Sequence, residues 1–495
     1  MRRFRTATHY YGFAEYLWPI NYLNSIKISD IDGDFEKIID LGFDTIILLV
    51  SWSELEPKVG VREARAYDNL HQIVKKAEES GLDVSFRLPY LWSLEASETR
   101  ERLVYALIDY ENYREKLISF VADFDREFIQ TYGNAVSKFG SWEDFYVIRD
   151  CFFSSEGIAS DETCAAFFRD ANVDPDRIEL NGENYDLLLD WIDRRIQQLC
   201  IEIGDYGFEV RADWDPYLSD GELKWHNHGA YHENRSGGEL ATYWATYFTQ
   251  ANDGEMIGAD SAVRSFIWLL DLIAQETSQV PFVDQFNFVD TTHGTEKHAK
   301  LNEDEYGEFF EKATDVIVER TMGYALWTIK DYNHNLIYNS ALSAGTKGWD
   351  WHKATPRPDG GAVIKSGGHL SKTVPKEAFR VAESPSLSLV VKTYSGDAAV
   401  EIGSLGTFDL PGAGRHEIPI DAPACEDLSF EIRTTMANED AIVEWVGLFG
   451  HRQIGGVIDQ HGDPSDHYSQ IRRFNRLLKD RLNTSRPGST IDEMT

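Results

Sequence analysis

What the sequence lacks narrows it first. No apolar run approaches the roughly 18 residues of a membrane-crossing helix. The four cysteines, Cys151, Cys164, Cys200 and Cys425, stand far apart without a CxxC pair. That spacing argues against a zinc site or a disulfide framework and for isolated thiols. Basic residues are scarce: 48 Lys and Arg face 83 Asp and Glu, a formal charge of -35. A field of that sign repels nucleic acid and anionic membranes and disfavours polyanionic substrates, so none of these is expected as a partner. The acids are spread along the chain rather than gathered in a tail, which reads as a solvated surface. The opening, MRRFRTATHYYGFAEYLWPI, is basic like a leader but lacks its apolar stretch, so a place inside the cell is expected unless a leader was removed.

What is present is aromatic and apolar. Hydrophobic residues make up 42% and aromatics 13%, with 13 Trp. Tyr and Trp fill cores, and they also stack on sugar rings, which gives weight to a carbohydrate partner. The 495 residues exceed one ordinary core and fit an α/β barrel of roughly 250 residues or more plus a smaller module.

Apolar runs ending in polar residues alternate with helix-period segments over residues 1–342, the mark of βα units and a parallel sheet. Strands are expected in THYYGFAEY, FDTIILLVSW, LDVSFRLPY, DFYVIRDCFFSSEG, FEVRADWDPY, ATYWATYFTQAND, VPFVDQFNFVD and GYALWTIKD. Eight such strands predict a (β/α)8 barrel. Residues 343–361 are rich in Gly and Pro and read as a linker. Residues 362–455 show short alternating runs such as LSLVVKTY and AIVEWVGLF, which predict an antiparallel β-sandwich of jelly-roll type. Residues 456–495 hold one helix, expected to pack back on the barrel, and a tail.

Active sites of such barrels lie at the C-terminal strand ends. Those ends carry Glu15, Trp52 with Glu54 and Glu56, Arg87 with Tyr90, Ser155 with Glu156, Asp213, Trp214 and Asp215, Gln285, and Trp327 followed by Asp331. They form a set of carboxylates and aromatics without metal-ligand spacing or a phosphate-cradling loop, so no cofactor is expected. Glu56 is expected to serve its own loop. His226, His228 and His232 are irregularly spaced and suit a polar wall, with His228 a candidate sugar contact, better than a metal.

LVSWSELEPKVGVREARAYDNLHQIVKKAEESGLDV, through Trp52, Glu56, Pro57, Gly60, Leu70 and Gly81, resembles the segment after the second strand of clan A glycoside hydrolases. These are retaining (β/α)8 enzymes that include families 5, 39 and 42. GYALWTIKDYN is similar to their eighth strand, whose Trp floors the sugar site, here Trp327. The resemblance implies a glutamate acid/base ending the fourth strand, where Glu156 follows Ser155 in place of the usual Asn, and a glutamate nucleophile ending the seventh. That position reads Gln285. Trp52, Arg87, Tyr90, Ser155, Asp213, Trp214, Asp215, His228, Trp327 and Asp331 are the expected sugar contacts.

A retaining glycosidase needs one protonated and one ionised carboxyl about 5–5.5 Å apart. Gln has the shape of Glu but no charge and little nucleophilicity. Three readings stay open: a Glu→Gln variant of the nucleophile, a register in which Asp284 attacks, or a protein that binds glycans without this group or relies on substrate assistance. The isosteric change favours the first, a retaining glycosidase disabled at its nucleophile and acting on a polysaccharide or oligosaccharide. A non-catalytic glycan-binding barrel is the alternative. The sugar, the linkage and the oligomeric state are not legible.

Overall fold

The computed structural model describes the chain except residues 1–2, 21, 91–95, 141–157, 173–182, 204–207, 213–214, 220–221, 227–239, 247–254, 278, 290, 292–298, 346, 380–385, 421–425, 436–438 and 486–495. Eight parallel strands close into a barrel: β1 Arg5–Tyr10, β2 Thr45–Ser51, β3 Asp83–Tyr90, β4 Ala135–Gly140, β5 Phe208–Ala212, β6 Leu240–Ala245, β7 Phe282–Asn287 and β8 Gly323–Leu326. Each pairs with its sequence neighbour, and β1 closes the ring on β8 with Arg5 opposite Gly323. The approach there is close enough that a Cβ on Gly323, at φ +119°, would lie 2.0 Å from the Arg5 carbonyl oxygen. Only glycine serves at that closing position.

Inward and outward residues alternate with the period of two that a strand imposes. Outward residues such as Val84, Phe86 and Leu88 join the large core shared with the helices. Inward, Ala7, Ile47, Phe282 and Ala325 form a small cluster of their own. The Arg5 guanidinium lies 4.4 Å from the Phe282 ring centre and covers that layer. Above it, toward the C-terminal ends, the buried side chains turn polar: His9, Ser85, Arg87 and Asp284.

The surrounding helices are α1 Ile31–Asp40, α2 Ala64–Glu79, α3 Ala96–Ile108, α4 Tyr113–Phe124, α5 Ile158–Ala171, α6 Glu183–Ile203, α7 Ala259–Thr277, α8 Tyr306–Arg320 and α9 Tyr468–Ser485. Between β5 and β6 the described residues form a hairpin, Asp215–Ser219 with Glu222–His226. The fourth strand lies earlier than the sequence suggested. Lys138 pairs with Phe208 and Arg87 with Phe139, whereas the expected stretch Asp144–Gly157 falls outside the described residues. AVSKFG is more polar than DFYVIRDCFF, so apolarity pointed to the later run.

Helix α9 occupies the eighth helical place of the barrel. It buries Ile471, Phe474, Asn475 and Leu478, the i, i+3, i+4, i+7 stripe of an amphipathic helix. Asn475 accepts a hydrogen bond from the Tyr324 hydroxyl of β8 at 2.6 Å and donates to the Leu41 carbonyl after α1 at 3.0 Å. Tyr468 and Arg472 reach Asp40 on α1, and Arg473 and Arg481 reach Glu311 and Asp315 on α8. The helix therefore wedges between α1 and α8.

Between β8 and α9 the chain builds a second, antiparallel sheet of nine strands. They are β9 Tyr332–Asn335, β10 Asp350–Pro356, β11 Ala362–Val374, β12 Leu387–Ser395, β13 Ala398–Ile402, β14 Gly406–Leu410, β15 Gly414–Ile420, β16 Leu428–Thr434 and β17 Ala441–Gln453. Its main path runs β14-β13-β16-β11-β17-β12-β15, with β9 on β17 and β10 on β11. The strands β9 and β10 lie in segments that the sequence assigns to barrel and linker, the second of them rich in Gly and Pro.

Candidate active site

Strand β7 carries a β-bulge where the chemistry is expected. Against β8, Val283 pairs with Tyr324 and Phe286 with Leu326, so β7 spends one more residue than its partner. The same slip appears against β6, between Val283 and Gln285. Outward Phe286 stacks in an aromatic column with Trp244 at 5.2 Å, Phe309 at 5.7 Å and Phe474 at 6.0 Å. Asp284 and Gln285 thus both fall between two outward residues, Val283 and Phe286. A bulge re-aims side chains in this way beside functional sites. Asp284 is fully buried, while Gln285 is half-buried and the more accessible of the two.

Arg87 on β3 meets this strand from across the barrel. Its Nη1 lies 4.0 Å from Asp284 Oδ2, and both side chains are fully buried. Two charges removed from water stabilise each other at that distance, and losing either would weaken the compensation of the other. From β1, His9 places Nδ1 3.4 Å from the Leu326 carbonyl and its ring edge-on to Trp327 at 4.9 Å. Trp327 is 8% exposed and meets Tyr332 edge-on at 6.2 Å. The described mouth thus brings together Arg87, Gln285 and Trp327 from the expected set, with His9 and Asp284 beside them.

Other expected contacts go elsewhere. Trp52 is fully buried on the outer side of β2, stacked on Phe120 at 5.5 Å and edge-on to Tyr113. The one-turn helix Trp52–Leu55 that follows β2 swings it away from the barrel axis, so it serves the core and not a sugar. Glu56 accepts from Trp52 Nε1 at 3.0 Å and from the Gly60 amide at 2.9 Å, and so closes its own loop. Glu54 accepts from the Asn24 amide at 3.0 Å, and burial pushes its carboxyl up to about 8. Asp331 accepts from Gly456 N at 2.7 Å and from Arg452 at 3.1 Å.

Tyr90 pairs through its backbone with Ser51, and Asp215 opens the hairpin after β5. Ser155, Glu156, Asp213, Trp214 and His228 lie outside the described residues. Behind the mouth, Lys330 donates to the carbonyls of Ala14 at 2.7 Å and Leu17 at 3.3 Å, and burial lowers its ammonium to about 7. Asp34 accepts from the Tyr10 hydroxyl at 2.9 Å and is pushed by burial to about 6.

His9 is not among the expected contacts, and Asp284, the acid that Arg87 meets, is expected only as an alternative nucleophile. The parity of β1 and β3 offered a signal, since His9 and Arg87 are polar at inward positions. Among the described residues no three His, Cys, Asp or Glu are grouped to hold a metal ion.

Solved structures similar to this chain are glycoside hydrolases at low identity. A GH5_18 structure from Streptomyces cattleya in complex with GlcNAc is 14% identical, with a TM-score of 0.42 over 67% of this chain and 72% of that one. An exo-beta-1,4-mannosidase from Opitutaceae bacterium strain TAV5 is 13% identical, with a TM-score of 0.41 over 67% and 54%. A beta-galactosidase from the psychrophilic Marinomonas ef1 is 10% identical, with a TM-score of 0.45 over 66% and 54%. The chain spans about half the length of the last two. No protein-family model and no curated protein matches the sequence.

Proposed function

We propose that the chain is a glycosidase-type protein with retaining chemistry, disabled at its nucleophile position. Its substrate would be a polysaccharide or oligosaccharide. The observation that carries this reading is the bulge of β7, which turns Asp284 and Gln285 together into the barrel mouth opposite Arg87. The clan A resemblance of the flanking segments supports it, and Trp327 at the end of β8 suits a stacking floor.

In the active form a glutamate at position 285 would attack the anomeric carbon. Arg87 and Asp284, already matched in charge, would hold the strand beneath it without competing for the sugar. The acid/base is assigned to Glu156. Because β4 lies at Ala135–Gly140, Glu143, which follows that strand closely, is a second acid to test. Whichever of the two is the acid/base would protonate the glycosidic oxygen and then activate water. The C-terminal sheet is proposed to fold into two layers, because β11 and β17 each change partners along their length, as corner strands do.

The test compares this chain with Gln285→Glu on a panel of glycans. Product from the glutamate form alone supports the disabled-nucleophile reading, with Glu143→Gln and Glu156→Gln then identifying the acid. Turnover by both forms means that another carboxylate attacks. Binding without turnover by either makes this a glycan-binding barrel.

A further inference from the structure

The end of β17 reaches both strands that carry the candidate site. On the β7 side, the Thr291 hydroxyl donates to the Ile454 carbonyl at 2.9 Å and accepts from the Ile454 amide at 2.9 Å. The Thr291 carbonyl lies 2.7 Å from His451 Nε2. On the β8 side, the Ile329 carbonyl accepts from the Val457 and Ile458 amides at 2.9 and 2.8 Å, and the Asp331 amide donates to Ile458 at 2.9 Å. The Asp331 carboxylate takes Gly456 N on one oxygen and Arg452 on the other.

Two adjacent glycines make the approach possible. A Cβ on Gly455 would lie 2.7 Å from Val289 Cβ, and one on Gly456 would lie 2.4 Å from Asp331 N. The two gripped strands are themselves joined, since Trp327 N donates to the Phe286 carbonyl at 3.3 Å.

We propose that residues 451–458 are a clamp that sets the positions of Gln285 and Trp327, with Thr291 and Asp331 as its positioning residues. Asp331, expected from sequence to touch sugar, holds the loop instead. The proposal rests on the glycosidase reading of the mouth. Its physical basis is that a reacting group displaced by about an ångström can lose up to about a hundredfold in rate.

The test uses the full chain with two readouts. Hydrogen exchange over residues 284–291 and 327–333 is measured in the chain as it stands, and kinetics are measured in the Gln285→Glu background. Thr291→Val should raise exchange in the first segment several-fold and lower kcat by about tenfold with KM little changed. Thr291→Ser, which keeps the hydroxyl, should restore both. Asp331→Asn should raise exchange in the second segment and lower kcat, leaving glycan affinity intact. The clamp is overturned if Thr291→Val and Asp331→Asn leave exchange and kcat at the parent level. It is equally overturned if Asp331→Asn changes only KM and glycan affinity, the mark of direct sugar contact. If Gln285→Glu acts on no glycan, the glycosidase reading fails while exchange alone still decides the clamp.

Discussion

The ends of β2 and β7 offer similar side chains and put them to opposite use. Each ends in carboxylate-rich sequence beside large aromatics, and each buries an acid at its C-terminal end. After β2 a helical turn carries Trp52 outward, and Glu54 is buried against backbone amides and Asn24, with no cation among the causes of its shift. On β7 a bulge turns the acid inward, and Asp284 faces the Arg87 guanidinium. Burial is common to both, so the neighbour and the direction of approach decide which strand end can do chemistry. A carboxyl kept neutral by burial far from the axis serves stability, whereas in the proposed function a charge-matched pair lies beneath the reacting position.

The largest effect that would break this comparison is Gln285→Glu, expected to raise glycan hydrolysis by orders of magnitude. Equal turnover by the parent chain would end the special standing of β7. Next, Arg87→Met should destabilise the fold by about 3–5 kcal/mol in chemical denaturation, because it removes the buried cation 4.0 Å from the Asp284 carboxylate, and adding Asp284→Asn should recover part of that loss. Trp52→Ala should also cost about 3–5 kcal/mol through the cavity it leaves. Its folded fraction should still bind glycan in titration, whereas Trp327→Ala should fold but bind poorly.

Comparable in total but spread along the pH axis, the effect of Glu54→Gln tests the β2 side. The native carboxyl holds its proton up to about 8, against an ordinary value of 4.5. The folded state therefore binds more protons across that window, and stability falls as pH rises through it, by up to about 1.4 kcal/mol per pH unit. Asp34, raised to about 6, adds a slope of the same sign at the acid end, and Lys330, lowered to about 7, opposes it at higher pH. The difference between parent and Glu54→Gln curves isolates Glu54, and parallel curves would refute its burial as a neutral acid. Least of all, Glu56→Gln should cost about 1 kcal/mol by weakening two loop hydrogen bonds.

The barrel was legible because alternating apolar runs and amphipathic helices are local signals. The seventh strand could be bounded from Pro281 and its apolar run, and Gln285 stood out by chemistry alone. The bulge was not legible, since a slip in pairing exists only relative to Thr242, Tyr243, Tyr324 and Leu326 on other strands. Trp52 misled because its direction is set by the backbone after the strand and not by strand parity. The fourth strand was misplaced since AVSKFG, polar to the eye, is paired on both sides. The role of α9 was likewise hidden, because its neighbours Leu41 and Tyr324 are remote in sequence.

That remoteness has a consequence for how the molecule is made. The ribosome must finish β9 to β17 before α9 emerges to fill its slot between α1 and α8. Until then the nascent barrel exposes the apolar groove that Phe474 and Leu478 will cover. Contacts of such long range form slowly, and partly built barrels are prone to associate through uncovered surface. Chaperone demand should therefore peak during synthesis of the sheet and fall once residues 468–485 have docked.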